Sequence, residues 1–317
     1  MKRLLILLFL IFVILVSGCV EQETLVVSGV KDGIVIKDFS FDTSRIYVKD
    51  SIGLNLEIQN IGREKAELKR VRIFGVNAEN IPSEYRWGKG DLPDGGVSDK
   101  FDLDTTDFST MKIRTILEPS DPSIKFEGGS RYIRWRPRTP TNIQAPTNYD
   151  FGVRVEYEYE TKYTGIIRIV NEDYLETLPI EERKVLIDAG GVISSSTSGG
   201  PLSLAVATGR HFITNGGGRK EIKFKLKNEG SGYSYYGDTL DSDSMYRVHI
   251  DSYQGLENME CTSLDGEDVI KLSKGKERFF NCTFTTSSAT YKVDKTIVIN
   301  FGYKYYVDGS TSITVNP

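Results

Sequence analysis

The sequence predicts an all-β protein with two β-domains in tandem. Among its 317 residues, tyrosine (17) and phenylalanine (15) are abundant, and glycine (30) recurs between short apolar runs. Aromatic and β-branched residues favour strands, and glycine interrupts them. Several runs alternate apolar and polar residues with the two-residue period of a half-buried strand. The same order of strands and turns occurs twice, and a chain of about 300 residues suits two ordinary domains.

A signal segment precedes these domains. Lys2 and Arg3 supply a positive start, Leu4–Val16 is apolar, and small residues follow. This is the layout of a secretory signal peptide. We therefore expect residues 1–18 to direct export of the rest of the chain.

The segment Val16-Ser17-Gly18-Cys19 resembles a lipobox. In lipoproteins with this motif, the peptide is removed before the cysteine and a lipid is attached to it. The resemblance therefore implies lipidation of Cys19 and a tether over residues 19–29. The alternative is an uncleaved anchor, Leu4–Val20, which is near the lower length limit of a spanning helix. Both alternatives predict an extracytoplasmic protein anchored to the outer face of the cytoplasmic membrane.

Composition and motifs restrict the function classes. Without Lys2 and Arg3, the chain carries 38 basic and 44 acidic residues, a net charge of −6. This acidity argues against a nucleic-acid partner. The only histidines are His211 and His249, and there is no nucleophile elbow, phosphate-binding loop or zinc-protease motif. We expect no enzyme activity, no cofactor and no metal site.

Two cysteines, Cys261 and Cys282, remain once Cys19 is lipidated. An even number of cysteines in an exported chain predicts one disulfide. Two separate buried thiols are the alternative.

The clearest repeat is an alternating strand that ends in Asn-x-Gly. Ile52–Ile58 precedes Asn60-Ile61-Gly62 in the first half, and Ile222–Lys227 precedes Asn228-Glu229-Gly230 in the second. Asn and Gly tolerate positive φ, so we predict a turn at each site.

The ends of the two halves also match. Val153–Tyr159 is followed by a polar segment up to Gly165 and a second apolar run, and Val298–Tyr305 is followed by Asp308-Gly309 and a second run. Both contain Tyr-x-Tyr. We predict that each pair of runs forms a terminal hairpin.

These repeats resemble CARDB-like and related immunoglobulin-like modules of archaeal and bacterial surface proteins. The resemblance implies two immunoglobulin-like β-sandwich domains, residues 30–172 and 202–317, the first with long loops inserted within 77–147. It also implies an adhesive, spacer or assembly role.

Residues 173–201 are predicted to join the two domains. Pro179 suits a first helical turn, Ile180–Ala189 continues it, and Gly190-Gly191 ends it. The following Ser194–Pro201 has the composition of a flexible Ser/Gly linker.

A basic stripe is the sharpest local pattern of the first half. In a strand, Tyr132, Arg134, Arg136 and Arg138 share one face, and Ile133 and Trp135 share the other. The stripe is a candidate site for anionic ligands. The alternative is a solvated face paired with glutamates 156, 158 and 160.

Asn281-Cys282-Thr283 is the chain's N-glycosylation sequon. Asn281 is therefore a candidate glycosylation site, and a coincidental triplet within a strand is the alternative.

Together, these features predict a membrane-tethered lipoprotein that serves as a non-catalytic binding, spacer or adaptor module of the cell envelope. Its expected partners are the membrane, through the lipid or anchor, and other envelope proteins or surface glycans. Two alternatives remain open. One is a self-assembling surface-layer or fibre subunit, and the other is an accessory subunit of an envelope enzyme or secretion complex.

Overall fold

The structure, a computed structural model, describes residues 32–75, 88–91, 101–103, 110–188, 191–207, 212–214, 218–262, 268–286 and 291–317. The predicted signal peptide, Cys19 and the predicted tether lie outside these ranges. Within them, no helix is both long and apolar enough to cross a bilayer.

The described chain is almost entirely β-structure, as the sequence predicts. The strands of the first half are β1 (Ile34–Phe41), β2 (Arg45–Tyr47), β3 (Leu54–Asn60), β4 (Ala66–Phe74), β5 (Gly88–Asp91), β6 (Phe101–Leu103), β7 (Thr110–Leu117), β8 (Ser130–Arg138) and β9 (Thr147–Asn171). Those of the second half are β10 (Val192–Thr197), β11 (Leu202–Val206), β12 (Phe212–Thr214), β13 (Gly218–Asn228), β14 (Tyr233–Tyr235), β15 (Arg247–Gln254), β16 (Glu257–Thr262), β17 (Val269–Lys271), β18 (Glu277–Thr286) and β19 (Lys292–Asn316).

The strands form two small sheets and one large sheet. Among the described residues, each small sheet has four strands, in the order β1-β3-β8-β5 in the first half and β11-β13-β18-β16 in the second. The large sheet has the central order β17-β15-β19-β9-β4-β7-β6. One hydrophobic core contains buried residues from all three sheets. The molecule is thus a pair of β-sandwiches with equivalent strand orders, which confirms the predicted fold class.

The predicted terminal hairpins are wrong. Strands β9 and β19 each run for 25 residues without a turn, and they pair antiparallel from Thr147 opposite Val315 to Val170 opposite Lys292. The polar residues that suggested turns have partners within the ladder. Thr161 is buried against the Tyr303 hydroxyl at 2.7 Å, and Asp308 forms an ion pair with Arg154.

The two sandwiches are interlocked rather than joined end to end by a linker. β2 of the first half pairs in parallel with the end of β19, at Thr314–Asn316, and β12 of the second half pairs in parallel with the end of β9, at Ile169–Asn171. Each half therefore completes the large sheet of the other. The domain boundaries at 172 and 202 stay predictions about folding units.

The segment between the halves is more ordered than a flexible linker. Ser194–Thr197 belongs to β10 and pairs antiparallel with Tyr163–Ile166 of β9. The linker prediction is wrong here because the unpaired edge of β9 provides a ladder for these residues. A short helix, α1 (Glu172–Thr177), is capped by the Asn171 side chain, and the predicted helix follows it as α2 (Ile180–Asp188).

Candidate functional site

The two Asn-x-Gly turns have the same hydrogen bonds. The Asn60 side chain donates to the carbonyls of Glu64 and Leu117 and accepts from the Gly62 amide, all at 2.9 Å. The Asn228 side chain donates to the carbonyls of Gly232 (2.8 Å) and Gly275 (3.0 Å) and accepts from the Gly230 amide at 3.1 Å. Each turn therefore fastens its small sheet to the large sheet at the junction between the sandwiches, which we call the waist.

Four buried tyrosines lie at the waist on the core side of β9 and β19. Tyr157 lies opposite Tyr305 in the ladder, and Tyr159 lies opposite Tyr303. The ring centroids of these two pairs are 5.7 and 6.2 Å apart. The Tyr159 hydroxyl accepts from the Glu64 amide at 3.2 Å, and the Tyr305 hydroxyl donates to the Asn228 side chain at 2.8 Å. The Tyr-x-Tyr repeats thus form the centre of the molecule.

Burial raises the pKa of all four hydroxyls. Desolvation is the largest cause in each case, and it raises the pKa of Tyr159 to about 12 and that of Tyr305 further. The tyrosines therefore stay neutral at physiological pH and act as hydrogen-bonding core residues.

A groove crosses the opposite face of the large sheet at the waist. Side chains of successive strand residues point to opposite faces, so Glu158, Glu160 and Lys304 point away from the tyrosines. The groove has a volume of about 840 Å³. Its floor is formed by these residues and Gly302, one wall by the segment Tyr236–Asp238 with His249 and Asp251, and the other wall by Glu64, Lys65, Glu67 and Ile116. We call it the waist groove.

An aromatic stack forms one wall of the waist groove. The Tyr236 and His249 rings are parallel within 7°, with centroids 5.0 Å apart. Asp251 orients the imidazole through a 2.7 Å contact with its Nδ1. Gly302 lies opposite both His249 and Glu160 in the ladders. A Cβ at Gly302 would lie 2.4 Å from an Asp251 carboxylate oxygen, so only glycine leaves Asp251 in this position.

Ion pairs hold several charged groups of the groove in place. Lys69, just outside it, contacts Glu67 at 2.8 Å and Glu158 at 2.9 Å. Lys304 donates to the Gly237 carbonyl at 2.6 Å and lies 3.7 Å from Asp238. Burial raises the pKa of Glu64, a hydrogen bond with Ser198 opposes this shift, and the charge of Glu160 adds to it.

The basic stripe is arranged as predicted, but its partners differ. Ile133 and Trp135 are buried, and Tyr132, Arg134, Arg136 and Arg138 are on the outer face of the first small sheet. Arg134 forms an ion pair with Asp42, and the Tyr132 hydroxyl donates to Asn55 at 2.5 Å. The alternative of pairing with glutamates 156, 158 and 160 is wrong, because those residues are on β9 in another sheet. Anionic-ligand binding by the stripe stays a prediction.

Cys261 and Cys282 form a disulfide, which confirms the predicted bridge. They lie opposite each other in β16 and β18. Asn281 belongs to β18 and lies opposite Lys223 of β13, with its side chain on the face opposite the buried Cys282. Its glycosylation stays a prediction.

The sequence did not reveal the waist groove. Its residues come from separate segments of both halves, and no motif marks them. The alternation of Glu158 and Glu160 with Tyr157 and Tyr159 was the one available signal, and it indicated the exposed face of the strand. Among the described residues, no group of three or more His, Cys, Asp or Glu side chains is arranged to hold a metal ion.

Comparisons with known proteins give no family assignment. No family model and no curated protein matches the chain. Among solved structures, red sea bream transglutaminase matches with 9% identity over 90% of this chain and a TM-score of 0.21, and this chain spans only 31% of its length. The Enterococcus faecalis MSCRAMM ACE, which binds its ligands by the collagen hug model, matches with 8% identity over 89% of this chain and 95% of its own, with a TM-score of 0.20.

The type II cohesin dyad from the adaptor ScaA scaffoldin of Acetivibrio cellulolyticus matches with 10% identity over 86% of this chain and 85% of its own, with a TM-score of 0.19. All three TM-scores are far below 0.5. These similarities therefore carry no conclusion about function.

Proposed function

We propose that the protein is an extracytoplasmic, non-catalytic binding module, tethered through its N-terminus, that holds a partner in the waist groove. The groove carries this proposal because it is a concave site on the two longest strands, which run through both sandwiches. A ligand bound there rests on a rigid platform. The Cys261–Cys282 disulfide supports an oxidising, extracytoplasmic location.

The position of Asp32 supports attachment of the tether away from the groove. The Asp32 carboxylate accepts from the amide of Ser231 at 2.8 Å, close to the Tyr305 hydroxyl. The described chain therefore starts on the tyrosine side of the large sheet, opposite the groove. Twelve residues lie between Cys19 and Asp32, which gives the connection a reach of at most about 45 Å. A tether from Cys19 would thus join the fold on the side away from the groove.

Binding is favoured over catalysis because most of the groove's ionisable groups are held in contacts with other charged groups. Asp251 holds His249, Lys69 holds Glu67 and Glu158, and Lys304 contacts Asp238. A general acid or base needs a group free to exchange a proton with a substrate. These contacts instead shape a fixed surface.

Site-directed photo-crosslinking on intact cells tests the proposal. A photoreactive phenylalanine replaces Tyr236 in the groove or, as a matched control, Phe279 on the outer face of the second small sheet. Both side chains are 43% exposed. We expect one recurring partner to be captured from position 236 and not from position 279, and mass spectrometry identifies it.

The other outcomes separate the alternatives. Capture mainly of the protein itself from both positions would support a surface-layer or fibre subunit and contradict the proposal. Capture of a partner from position 279 alone would place the binding face on the small sheet instead. A membrane enzyme captured at position 236 would identify the module as its accessory subunit.

A further inference from the structure

We infer that the waist groove binds a cationic segment of a partner protein, one that presents lysine or arginine side chains. This inference rests on the proposed function and specifies the chemistry of its ligand. Two independent properties of the groove support it: its net charge and its exposed aromatic ring.

The groove has an excess of negative charge. Its lining contains the carboxylates of Glu64, Glu67, Glu158, Glu160, Asp238 and Asp251, against the ammonium groups of Lys65 and Lys304. Counted from these carboxylates and ammonium groups alone, this is an excess of four negative charges, or three when Lys69 is counted as the partner of Glu67 and Glu158. A concave site of one sign focuses its field and attracts an oppositely charged ligand.

Two further carboxylates, Glu64 and Glu160, line the groove outside the ion pairs described above. The charge of Glu160 raises the pKa of Glu64, and a hydrogen bond with Ser198 and the charge of Lys162 oppose this shift. A cation placed between the two carboxylates would remove the repulsion between them. An anionic ligand would increase it, so an acidic glycan or peptide is disfavoured.

Tyr236 supplies a second recognition element for a cation. One face of its ring is stacked on His249, and the side chain remains 43% exposed. An ammonium or guanidinium group is attracted to the face of an aromatic ring. Asp251 fixes the His249 ring, and the stack on His249 fixes the Tyr236 ring. Little side-chain conformational entropy is therefore lost at Tyr236 when the ligand binds.

The floor places a carboxylate beside the aromatic stack. Gly302 lies between His249 and Glu160 in the sheet, and the Asp251 carboxylate occupies the space that a Cβ at Gly302 would need. A lysine or arginine that contacts Tyr236 would therefore meet Asp251 on the floor, with Glu160 beyond it. The groove thus combines an aromatic wall with carboxylate acceptors.

Fluorescence polarisation with two probe peptides tests this inference on the protein with residues 19–317. One probe is a fluorescein-labelled decapeptide of alternating lysine and glycine, and the other has glutamate in place of lysine. We expect saturable binding of the lysine peptide alone. Glu160→Gln and Tyr236→Ala each weaken it by about fivefold. Glu257→Gln is the matched control, because it removes one exposed negative charge from β16, away from the groove.

Thermal unfolding of each variant checks that the exposed substitutions leave the fold intact. Equal weakening by all three substitutions would reveal attraction to overall charge and overturn the inference. Absence of saturable binding below about 1 mM would also overturn it. If a partner is nevertheless captured from position 236 on cells, the proposed function stands and only the ligand class is wrong. If neither experiment detects a ligand, both fail.

Discussion

At the scale of single residues, the repeated Asn-x-Gly motif needs its glycine for a different physical reason from the one that the sequence suggests. The motif predicts a turn because asparagine and glycine tolerate positive φ, but Gly62 and Gly230 do not have positive φ. A Cβ at Gly62 would lie 2.1 Å from the Tyr159 hydroxyl oxygen, and one at Gly230 would lie 2.6 Å from that of Tyr305. Glycine is required because a buried tyrosine of the same half occupies the space.

Gly62→Ala should therefore destabilise the protein through overpacking, by about 1–3 kcal/mol. Tyr159→Phe removes the clashing hydroxyl. Gly62→Ala should therefore lower the free energy of unfolding less in the Tyr159→Phe background than in the wild-type protein. Urea unfolding of the four proteins gives the coupling free energy. Strictly additive effects would show that the hydroxyl is not the reason for glycine at this position.

The waist tyrosines should make stability depend on pH in the alkaline range. Their pKa values are raised in the folded protein, to about 12 for Tyr159, whereas a tyrosine in the unfolded chain titrates near pH 10. The raised pKa values therefore contribute fully to the free energy of unfolding below about pH 10, and this contribution is lost as the pH rises towards 12. Urea unfolding between pH 9 and pH 11.5 should show this decline.

Tyr159→Phe should make that decline shallower, because one raised pKa is removed. Tyr47→Phe, at a side chain that is 62% exposed, controls for the titration of lysines and other tyrosines and should leave the slope unchanged. An equal slope in all three proteins would mean that the waist cluster does not link folding to proton binding.

At the scale of elements, the sequence predicts strands well where apolar and polar residues alternate against one core. Ile52–Ile58 and Ile222–Lys227 lie in or beside β3 and β13, and the outer face of β8 is arranged as predicted. The predictions fail where polar residues have partners in the other half. Thr161 and Asp308 resemble turn residues because Tyr303 and Arg154, their partners, are distant in the chain. The waist groove was not predictable for the same reason.

The disulfide joins β16, an outer strand of the second small sheet, to β18. The bridge closes a sequence separation of 21 residues, for which chain-entropy models give about 3 kcal/mol. The double variant Cys261→Ala, Cys282→Ala should lose about that much stability in urea unfolding. Hydrogen exchange should accelerate in β16 more than in β11, the opposite outer strand. Equal acceleration in both strands would contradict a local role for the bridge.

At the scale of the whole molecule, sharing of β9 and β19 makes the two sandwiches one structural unit. Neither large-sheet half is complete without a long strand from the other, and the waist tyrosines pack across that boundary. We therefore expect one cooperative unfolding transition, although the chain has the length and the repeats of two domains.

A substitution in the second sandwich should therefore destabilise the first. The chain's two tryptophans, Trp87 and Trp135, are both in the first half, so tryptophan fluorescence reports on that half. Phe224→Ala removes a fully buried ring from the second core and should cost about 3–5 kcal/mol. The fluorescence midpoint in urea should shift accordingly. Phe279→Ala, at an exposed ring, is the control, and an unchanged midpoint with Phe224→Ala would indicate independent domains.

The pairing of β2 with β19 also determines when the protein can fold during its own synthesis. β19 is synthesised after every other described strand, so both β2 and β9 lack this partner until it has been made. Contacts so distant along the chain form slowly. The first sandwich would thus remain open along one edge until β19 is made, and an unpaired strand edge is able to pair with other chains during that time.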